Sequence, residues 1–133
     1  MKKLYLDIDG VLLTTKQTSP ASNVQEFVNF VTSNFDCYWL TTHCKGNNQT
    51  VLKYLSEYFD KETLTKLETI KPTSWTTLKT EAIDFNSDFF WLEDFPFQSE
   101  INILDSKSKK DKLIIVDLNK SDELMRLIFL LAE

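Results

Sequence analysis

Short apolar runs alternate with segments of helical periodicity along the chain, and few architectures accommodate that order. Strands separated by helices are typical of an α/β fold in which helices cover a mostly parallel sheet. We therefore expect a three-layer, Rossmann-like sandwich with a five-stranded sheet. The runs that are predicted to form strands are 3–8, 37–41, 68–71, 88–92 and 112–118.

The helices predicted between these strands begin at residues that commonly start or cap helices. They are expected to span about 22–34, 47–59, 61–67, 73–84 and 121–132. The predicted starting residues are Ser22 or Asn23, Asn47 or Asn48, Lys61, Pro72 and Ser121. The first, second and last of these helices carry apolar residues at the spacing that places them on one face, as packing on a sheet requires. In the second helix this apolar stripe consists of Val51, Leu52, Leu55, Tyr58 and Phe59.

The composition is that of one domain with an acidic surface. The chain has 133 residues, with 15 Lys and Arg against 20 Asp and Glu, so its formal net charge is −5. This length fits a single domain over 1–133, and the acidic balance argues against an extended nucleic-acid or anionic-membrane surface. Arg126 is the only arginine, so bidentate clamps on phosphate are almost absent. With two glycines, the chain cannot form a P-loop or a GxGxxG turn.

The sequence predicts a reduced, cytoplasmic protein. No apolar run approaches the roughly 20 residues that a membrane span needs. Asp7 and Asp9 interrupt the apolar run that follows the basic start, which argues against a signal peptide. Cys37 and Cys44 are the only cysteines, and an extended segment between them would hold them too far apart for a disulfide.

Polar side chains follow three of the predicted strands where each strand ends. Because the carboxyl ends of parallel strands meet at one edge of the sheet, where ligands bind in such folds, we expect these side chains to converge. Acids at strand ends also form turns, but three such ends together favour a functional site. The side chains are Asp7 and Asp9, then Thr41, Thr42 and His43, then Glu93 and Asp94.

Four short motifs occur in order between residues 7 and 94. The first is the run Asp7-Ile-Asp9-Gly10-Val11 after an apolar strand. The second is Trp39-Leu40-Thr41-Thr42, the third is Lys79, and the fourth is Phe90-Trp91-Leu92-Glu93-Asp94. In these motifs the chain resembles the haloacid dehalogenase-like (HAD) superfamily of phosphatases. A lone DxD pair is a weak signal, whereas the four motifs in order are a specific one.

The resemblance implies a hydrolase that acts on phosphomonoesters. Asp7 would be the nucleophile that forms an aspartyl-phosphate, and Asp9 would be the general acid and then the base for water. Thr41 would hydrogen-bond the transferring phosphoryl group, and Lys79 would neutralise its charge.

The same resemblance implies a Mg²⁺ site. A phosphomonoester carries about two negative charges near neutral pH, and these repel an approaching carboxylate unless a cation offsets them. Asp94, together with Asp7 and the backbone carbonyl of Asp9, would bind Mg²⁺, which prefers oxygen ligands. Glu93 stands where the family commonly has Asp or Gly, and we interpret it either as an acid that supports the metal ligands from outside or as a ligand that binds the metal through water.

Several assignments have competitors. Thr42 competes with Thr41, and Lys71, at the end of the third predicted strand, competes with Lys79. His43 is interpreted as a loop residue or a neighbour of the substrate. Of the three tryptophans, only Trp75 has an interpretation besides packing, as a stacking surface beside the site. Because the pair Glu93-Asp94 departs from the common pattern of the family, a second function is also considered, that of a non-catalytic binding or regulatory module on a HAD scaffold.

No cap domain is expected, because the core elements fill the intervals between the motifs. An uncapped site is open to small or macromolecular phosphorylated substrates, including a phosphorylated terminus, and is compatible with a partner protein. The lysine-rich run at 106–112 precedes the last strand, so we expect it in a solvated loop at the opposite edge of the sheet.

Overall fold

The fold is built on a sheet of four parallel strands in the order β2-β1-β3-β4. A computed structural model describes all residues from 1 to 133. The strands are β1 (Lys3–Leu6), β2 (Asp36–Trp39), β3 (Phe89–Glu93) and β4 (Leu113–Ile115). The helices are α1 (Val24–Asn34), α2 (Gln49–Leu55), α3 (Lys61–Leu67), α4 (Gln98–Ser106) and α5 (Glu123–Leu131), with short 3₁₀ helices at Lys79–Ala82 and Lys110–Lys112. The prediction of an α/β fold with a parallel sheet is confirmed.

Strand β1 lies in the middle of the sheet and fixes the register of its neighbours. Leu6, at its end, is paired with Trp39 of β2 and with Leu92 of β3. Beyond these pairs, the amide of Leu40 donates to the carbonyl of Leu6 at 2.7 Å, and the amide of Asp7 donates to the carbonyl of Leu92 at 3.3 Å. The residues that follow β1, β2 and β3 are therefore neighbours at one edge, which we call the carboxyl edge.

Both faces of the sheet are covered, and this explains why β1 is an uninterrupted apolar run. Leu4 and Leu6 belong to a cluster of 25 buried residues that includes side chains of α1, α2, α3 and α5. Tyr5 points the other way and packs with Trp91, Phe89 and Leu104 of α4 in a second cluster. None of the helices combines the length and the apolar character needed to cross a bilayer.

The sheet has four strands where the sequence predicts five. The run at 68–71 forms only a single bridge, in which the amide of Lys71 donates to the carbonyl of Cys37 and the amide of Trp39 donates to the carbonyl of Lys71. Two features limit the pairing. Thr69 and Ile70 still make turn hydrogen bonds back to α3, and Pro72 has no N–H with which to extend a ladder.

The predicted helix at 73–84 is also absent, apart from the 3₁₀ turn at Lys79–Ala82. The carboxylate of Glu81 accepts hydrogen bonds from the amides of Thr76, Thr77 and Leu78 at 3.0, 3.1 and 2.8 Å. Because a side chain takes these amides, the segment before Lys79 is held as an ordered loop instead of a helix.

Helix α4 is not predicted from the sequence, Asn23 stands at the N-cap of α1 as predicted, and the cap predicted for α5 is wrong. The side chain of Glu100 accepts from the amide of Phe97 at 2.9 Å, so α4 is started by an acid inside its own first turn. Asn23 and Asp122 stand at the N-caps of α1 and α5 with φ of 65° and 56°, and neither side chain makes a capping hydrogen bond. Ser121 lies one residue before the N-cap that the structure has for α5.

Candidate functional site

An ion-paired lysine joins two acids at the carboxyl edge. The Nζ of Lys79 lies 3.1 Å from Oδ2 of Asp7 and 2.6 Å from Oε1 of Glu93. The side chains of Asp7, Lys79 and Glu93 are 11, 12 and 3% exposed, so water screens these charges only weakly. The structure therefore places one buried positive charge between the ends of β1 and β3.

The pKa values of this group reflect its burial. Burial and the neighbouring charge of Asp7 raise the pKa of Glu93 to about 8, against the opposing effect of Lys79. Burial on its own would lower the pKa of Lys79, but Asp7 and Glu93 together raise it. Lys79 thus stays charged across the physiological range, while Glu93 holds a proton more readily than an ordinary glutamate.

Asp94 completes a cluster of three carboxyl groups. Oxygen atoms of Asp7, Glu93 and Asp94 all lie within 4.8 Å of one another. Gly10 makes room for this arrangement: it has φ of +87°, and a Cβ at this position would lie 2.2 Å from the Cγ and Oδ2 of Asp94. The first and fourth sequence motifs are therefore in direct contact through Gly10 and Asp94.

The donor set fits a small divalent cation. Three carboxyl groups at this spacing are the hard oxygen ligands that Mg²⁺ prefers. Both oxygens of Glu93 are already engaged, because Oε2 accepts from the amide of Phe95 at 3.2 Å while Oε1 accepts from Lys79. Asp7 accepts one hydrogen bond at each oxygen, from the amide of Ile8 and from Lys79, and keeps a further lone pair on each. Asp7 and Asp94 are therefore better placed than Glu93 to bind a cation.

Gly10→Ala is expected to disrupt the site through the collision with Asp94. Alanine at positive φ costs on the order of 1 kcal/mol of stability by itself, and displacement of Asp94 should also weaken any stabilisation by Mg²⁺. Gly46→Ala is a matched control, because Gly46 has φ of +86° but a Cβ there would meet only Ser74, at 4.0 Å. Urea unfolding with and without Mg²⁺ measures both effects. A Mg²⁺ response that is equal in the two variants would contradict the proposed role of the Gly10–Asp94 contact.

Asp9 is held away from this cluster by two aromatic residues. Its Oδ2 lies 2.8 Å from Nε2 of His43, and its Oδ1 accepts from the hydroxyl of Tyr54 at 2.8 Å. The rings of His43 and Tyr54 stack with centroids 4.0 Å apart and an angle of 14° between their planes. Burial and the hydrogen bond to Asp9 raise the pKa of Tyr54, so the phenol remains a proton donor.

This arrangement changes the interpretation of His43 and adds Tyr54. His43 contacts Asp9 directly. Tyr54, in α2, packs against the main core cluster while its hydroxyl reaches Asp9, so helical periodicity can mark it only as a packing residue. The only available signal is an aromatic residue on the helix that follows the only histidine of the chain.

The competing candidates occupy different environments. Thr41 is fully buried, and its hydroxyl accepts from the amide of His43 at 3.3 Å, whereas Thr42 is exposed. Lys71 does not reach the acids, because its Nζ pairs with Asp36 at 2.8 Å at the start of β2. Lys79 is therefore the lysine that the fold brings to Asp7.

Glu100 positions Lys79 and has no counterpart among the predicted site residues. It is 2% exposed, and its Oε2 accepts from the backbone amide of Lys79 at 2.8 Å while its Oε1 accepts from the amide of Phe97. One carboxylate of α4 thus fixes the backbone of Lys79 and the loop that follows β3. No spacing rule connects residues 79 and 100, so only the fold reveals this contact.

The carboxyl edge thus gathers the acids of β1 and β3, the buried threonine after β2, and a lysine from the loop before β3. The lysine-rich run lies elsewhere: Lys112 pairs with Asp88, which precedes β3, at 3.3 Å. Comparison of the chain with protein-family models, with curated proteins and with solved structures finds no match.

Proposed function

We propose that the protein is a Mg²⁺-dependent phosphomonoester hydrolase of the HAD type, without a cap, that acts through an aspartyl-phosphate on Asp7. The observation that carries the proposal is the position of Lys79, whose ammonium group lies between Asp7 and Glu93 beside Asp94. The four motifs that resemble this superfamily supply residues of the same types in the same order.

The charges of the site suit a dianionic substrate. A carboxylate nucleophile and a phosphomonoester repel each other, and the repulsion is strong where water is excluded. Lys79 offsets part of that negative charge at Asp7. Asp7, Asp94 and the backbone carbonyl of Asp9 would hold Mg²⁺, which would neutralise the remaining charge and orient the phosphoryl oxygens. Glu93 would hold Lys79 in place instead of binding the cation directly.

The reaction would proceed in two displacements at phosphorus. In the first, an oxygen of Asp7 forms a bond to phosphorus as the ester bond breaks, and Asp9 gives a proton to the leaving oxygen. In the second, Asp9 takes a proton from water, the water oxygen bonds to phosphorus, and the bond from phosphorus to Asp7 breaks to release inorganic phosphate. Each oxygen of Asp9 accepts one hydrogen bond and keeps a lone pair for the proton.

The remaining groups support these displacements. The hydroxyl of Thr41 lies at the end of β2 and would hydrogen-bond a phosphoryl oxygen. His43 and Tyr54 would hold Asp9 in one orientation, which lowers the entropic cost of proton transfer. The uncapped edge would admit small or macromolecular phosphate esters, and a partner protein could supply further binding surface.

Mg²⁺-dependent release of phosphate from a generic aryl phosphate tests the proposal. We expect turnover that EDTA abolishes and excess Mg²⁺ restores, together with a higher melting temperature in millimolar Mg²⁺ because the cation binds the folded state. Ca²⁺ is a useful comparison, since it shares the oxygen ligands but demands a larger coordination shell. Absence of both turnover and thermal stabilisation would refute the proposal and favour a non-catalytic binding module.

A further inference from the structure

A cleft of about 480 Å³ opens beside the site, between the loop after β2 and the loop before Lys79. We call it the Trp75 cleft. Thr42, the neighbour of the buried Thr41, forms part of its wall, so the cleft adjoins the position proposed for the phosphoryl group. Its lining residues are Thr42, Cys44, Lys45, Ser74, Trp75 and Thr76.

A backbone hydrogen bond joins the two walls of the Trp75 cleft, since the amide of Gly46 donates to the carbonyl of Thr73 at 2.9 Å. Within the first wall, the amide of Cys44 donates to the carbonyl of Thr41 at 3.2 Å and closes a turn. The thiol of Cys44 is buried and lies 3.4 Å from the same Thr73 carbonyl. Glu81 holds the far end of the second wall through the amides of residues 76–78. The cleft is therefore formed before any ligand binds.

Trp75 offers an aromatic surface to this cleft. Trp39 and Trp91 are fully buried, whereas Trp75 is half-buried and packs against the second core cluster on one side. Because Trp75 packs against the core and also lines the cleft, it offers a ligand an aromatic surface that the core holds in place. Base–aromatic stacking makes a substantial contribution to binding whatever the base.

Four polar side chains of the cleft have no partner within the protein. The ammonium of Lys45 forms no ion pair, and the hydroxyls of Thr42, Ser74 and Thr76 make no hydrogen bond. Lys79, by contrast, is paired with both Asp7 and Glu93. An aromatic surface with one cation and three free hydroxyls is complementary to a planar ring that carries several polar atoms.

We propose that the Trp75 cleft binds the leaving group of the substrate and that this group is a nucleoside, so that the substrate is a nucleoside monophosphate. This inference rests on the proposed phosphatase function. The base would stack on Trp75, Lys45 and the hydroxyls would bind sugar and base oxygens and nitrogens, and the phosphate would reach Thr41 and Asp7. A phenyl ring could stack in the same way but would leave most of the polar groups unpaired, which costs affinity.

A second cleft, of about 320 Å³ on the side of Asp94, supplies the internal control. It contains Lys16 with Thr14 and Thr15, and no aromatic ring lines it. Lys16 and Lys45 are both exposed lysines beside the same site, so substitution of each by alanine changes the net charge equally. Only the loss of Lys45 should weaken a ligand that lies in the Trp75 cleft.

Steady-state kinetics with AMP, ribose 5-phosphate and an aryl phosphate test the assignment. Trp75→Leu is expected to raise the KM for AMP about tenfold and to leave the KM for ribose 5-phosphate unchanged, while Trp75→Phe retains most of the affinity. Lys45→Ala should raise the KM for AMP by a smaller factor, and Lys16→Ala should not change it. Equal effects of Lys45→Ala and Lys16→Ala, or no preference for AMP over ribose 5-phosphate, would overturn the inference and leave the phosphatase function intact.

A binding measurement separates this inference from the proposed chemistry. Adenosine should quench the fluorescence of Trp75 without any phosphate or metal present. Trp39 and Trp91 are fully buried and out of reach of the ligand, so the quenching reports on Trp75 alone. The quenching should be lost in Trp75→Phe and weakened in Lys45→Ala, and ribose should not cause it. Quenching without turnover of any ester would refute the phosphatase function and support the nucleoside cleft. Turnover of AMP without quenching would refute the cleft assignment.

Discussion

Asp7→Asn is expected to abolish phosphate release while the fold is retained. An amide cannot form the ester bond to phosphorus that a carboxylate forms, so the loss should be on the scale seen when a catalytic nucleophile is removed, roughly 10⁴-fold or more. The fold should tolerate the change, because Lys79 keeps its contact with Glu93 and the negative charge beside Glu93 falls. Phosphate release and circular dichroism measure the two effects.

Asp105→Asn is the matched control for this variant. Asp105 is an exposed residue of α4 whose side chain makes no hydrogen bond, so the same chemical change there should leave activity unaltered. Acid quenching of the wild-type reaction should also trap one phosphoryl group on the peptide that contains Asp7. Activity that survives in Asp7→Asn, or a phosphoryl group on another residue, would place the nucleophile elsewhere.

Lys79→Met is expected to give the largest loss of stability. The substitution preserves the length of the side chain but leaves the carboxyl groups of Asp7 and Glu93 without their shared cation in a buried position. Removing one partner of a buried ion pair typically costs about 3 kcal/mol or more. Urea unfolding in EDTA, which keeps cations from replacing the lysine, measures the difference at each pH.

The size of this loss should depend on pH in a direction that the pKa of Glu93 fixes. That pKa is raised from 4.5 to about 8 in the folded protein, so the folded state binds more protons than the unfolded state between these values, and stability falls as pH rises across them. Lys79 limits the rise in the pKa of Glu93. Without Lys79 this pKa is higher, so the stability of the folded protein continues to fall above pH 8. The deficit of Lys79→Met should be larger at pH 9 than at pH 6, whereas Lys79→Met/Glu93→Gln should show no such growth. A deficit independent of pH in the single variant would contradict the assignment to Glu93.

The sheet was largely predictable because its strands are short apolar runs, and its central strands β1 and β3 are mostly buried. Each of the four strands overlaps a predicted run, and β1 retains the apolar pattern that two covered faces require. Two of the failures share a cause. The segments at 73–84 and 98–106 depend on Glu81 and Glu100, whose carboxylates bind backbone amides. Such contacts override local propensity and leave no periodic signal in the sequence.

The part of the site that lies at the strand ends was predictable. Asp7, Glu93 and Asp94 could be expected at one edge because parallel strands align their carboxyl ends, and they do lie together. The contacts of His43 and Tyr54 with Asp9 could not be predicted, because they depend on how α2 packs beside the loop after β1. Sequence patterns identify the positions that face the core, but they do not show which polar side chains from different elements meet.

Because β1 lies between β2 and β3, the sheet cannot close until β3 has been synthesised. A nascent chain that ends before β3 can pair β1 only with β2, and Asp7 then faces neither Glu93 nor Asp94. Pairing strands that are this distant along the chain is also slow, since the intervening segment must lose its entropy first. During translation, the acid cluster therefore cannot form before Glu93 and Asp94 have been added to the chain and β3 has paired with β1.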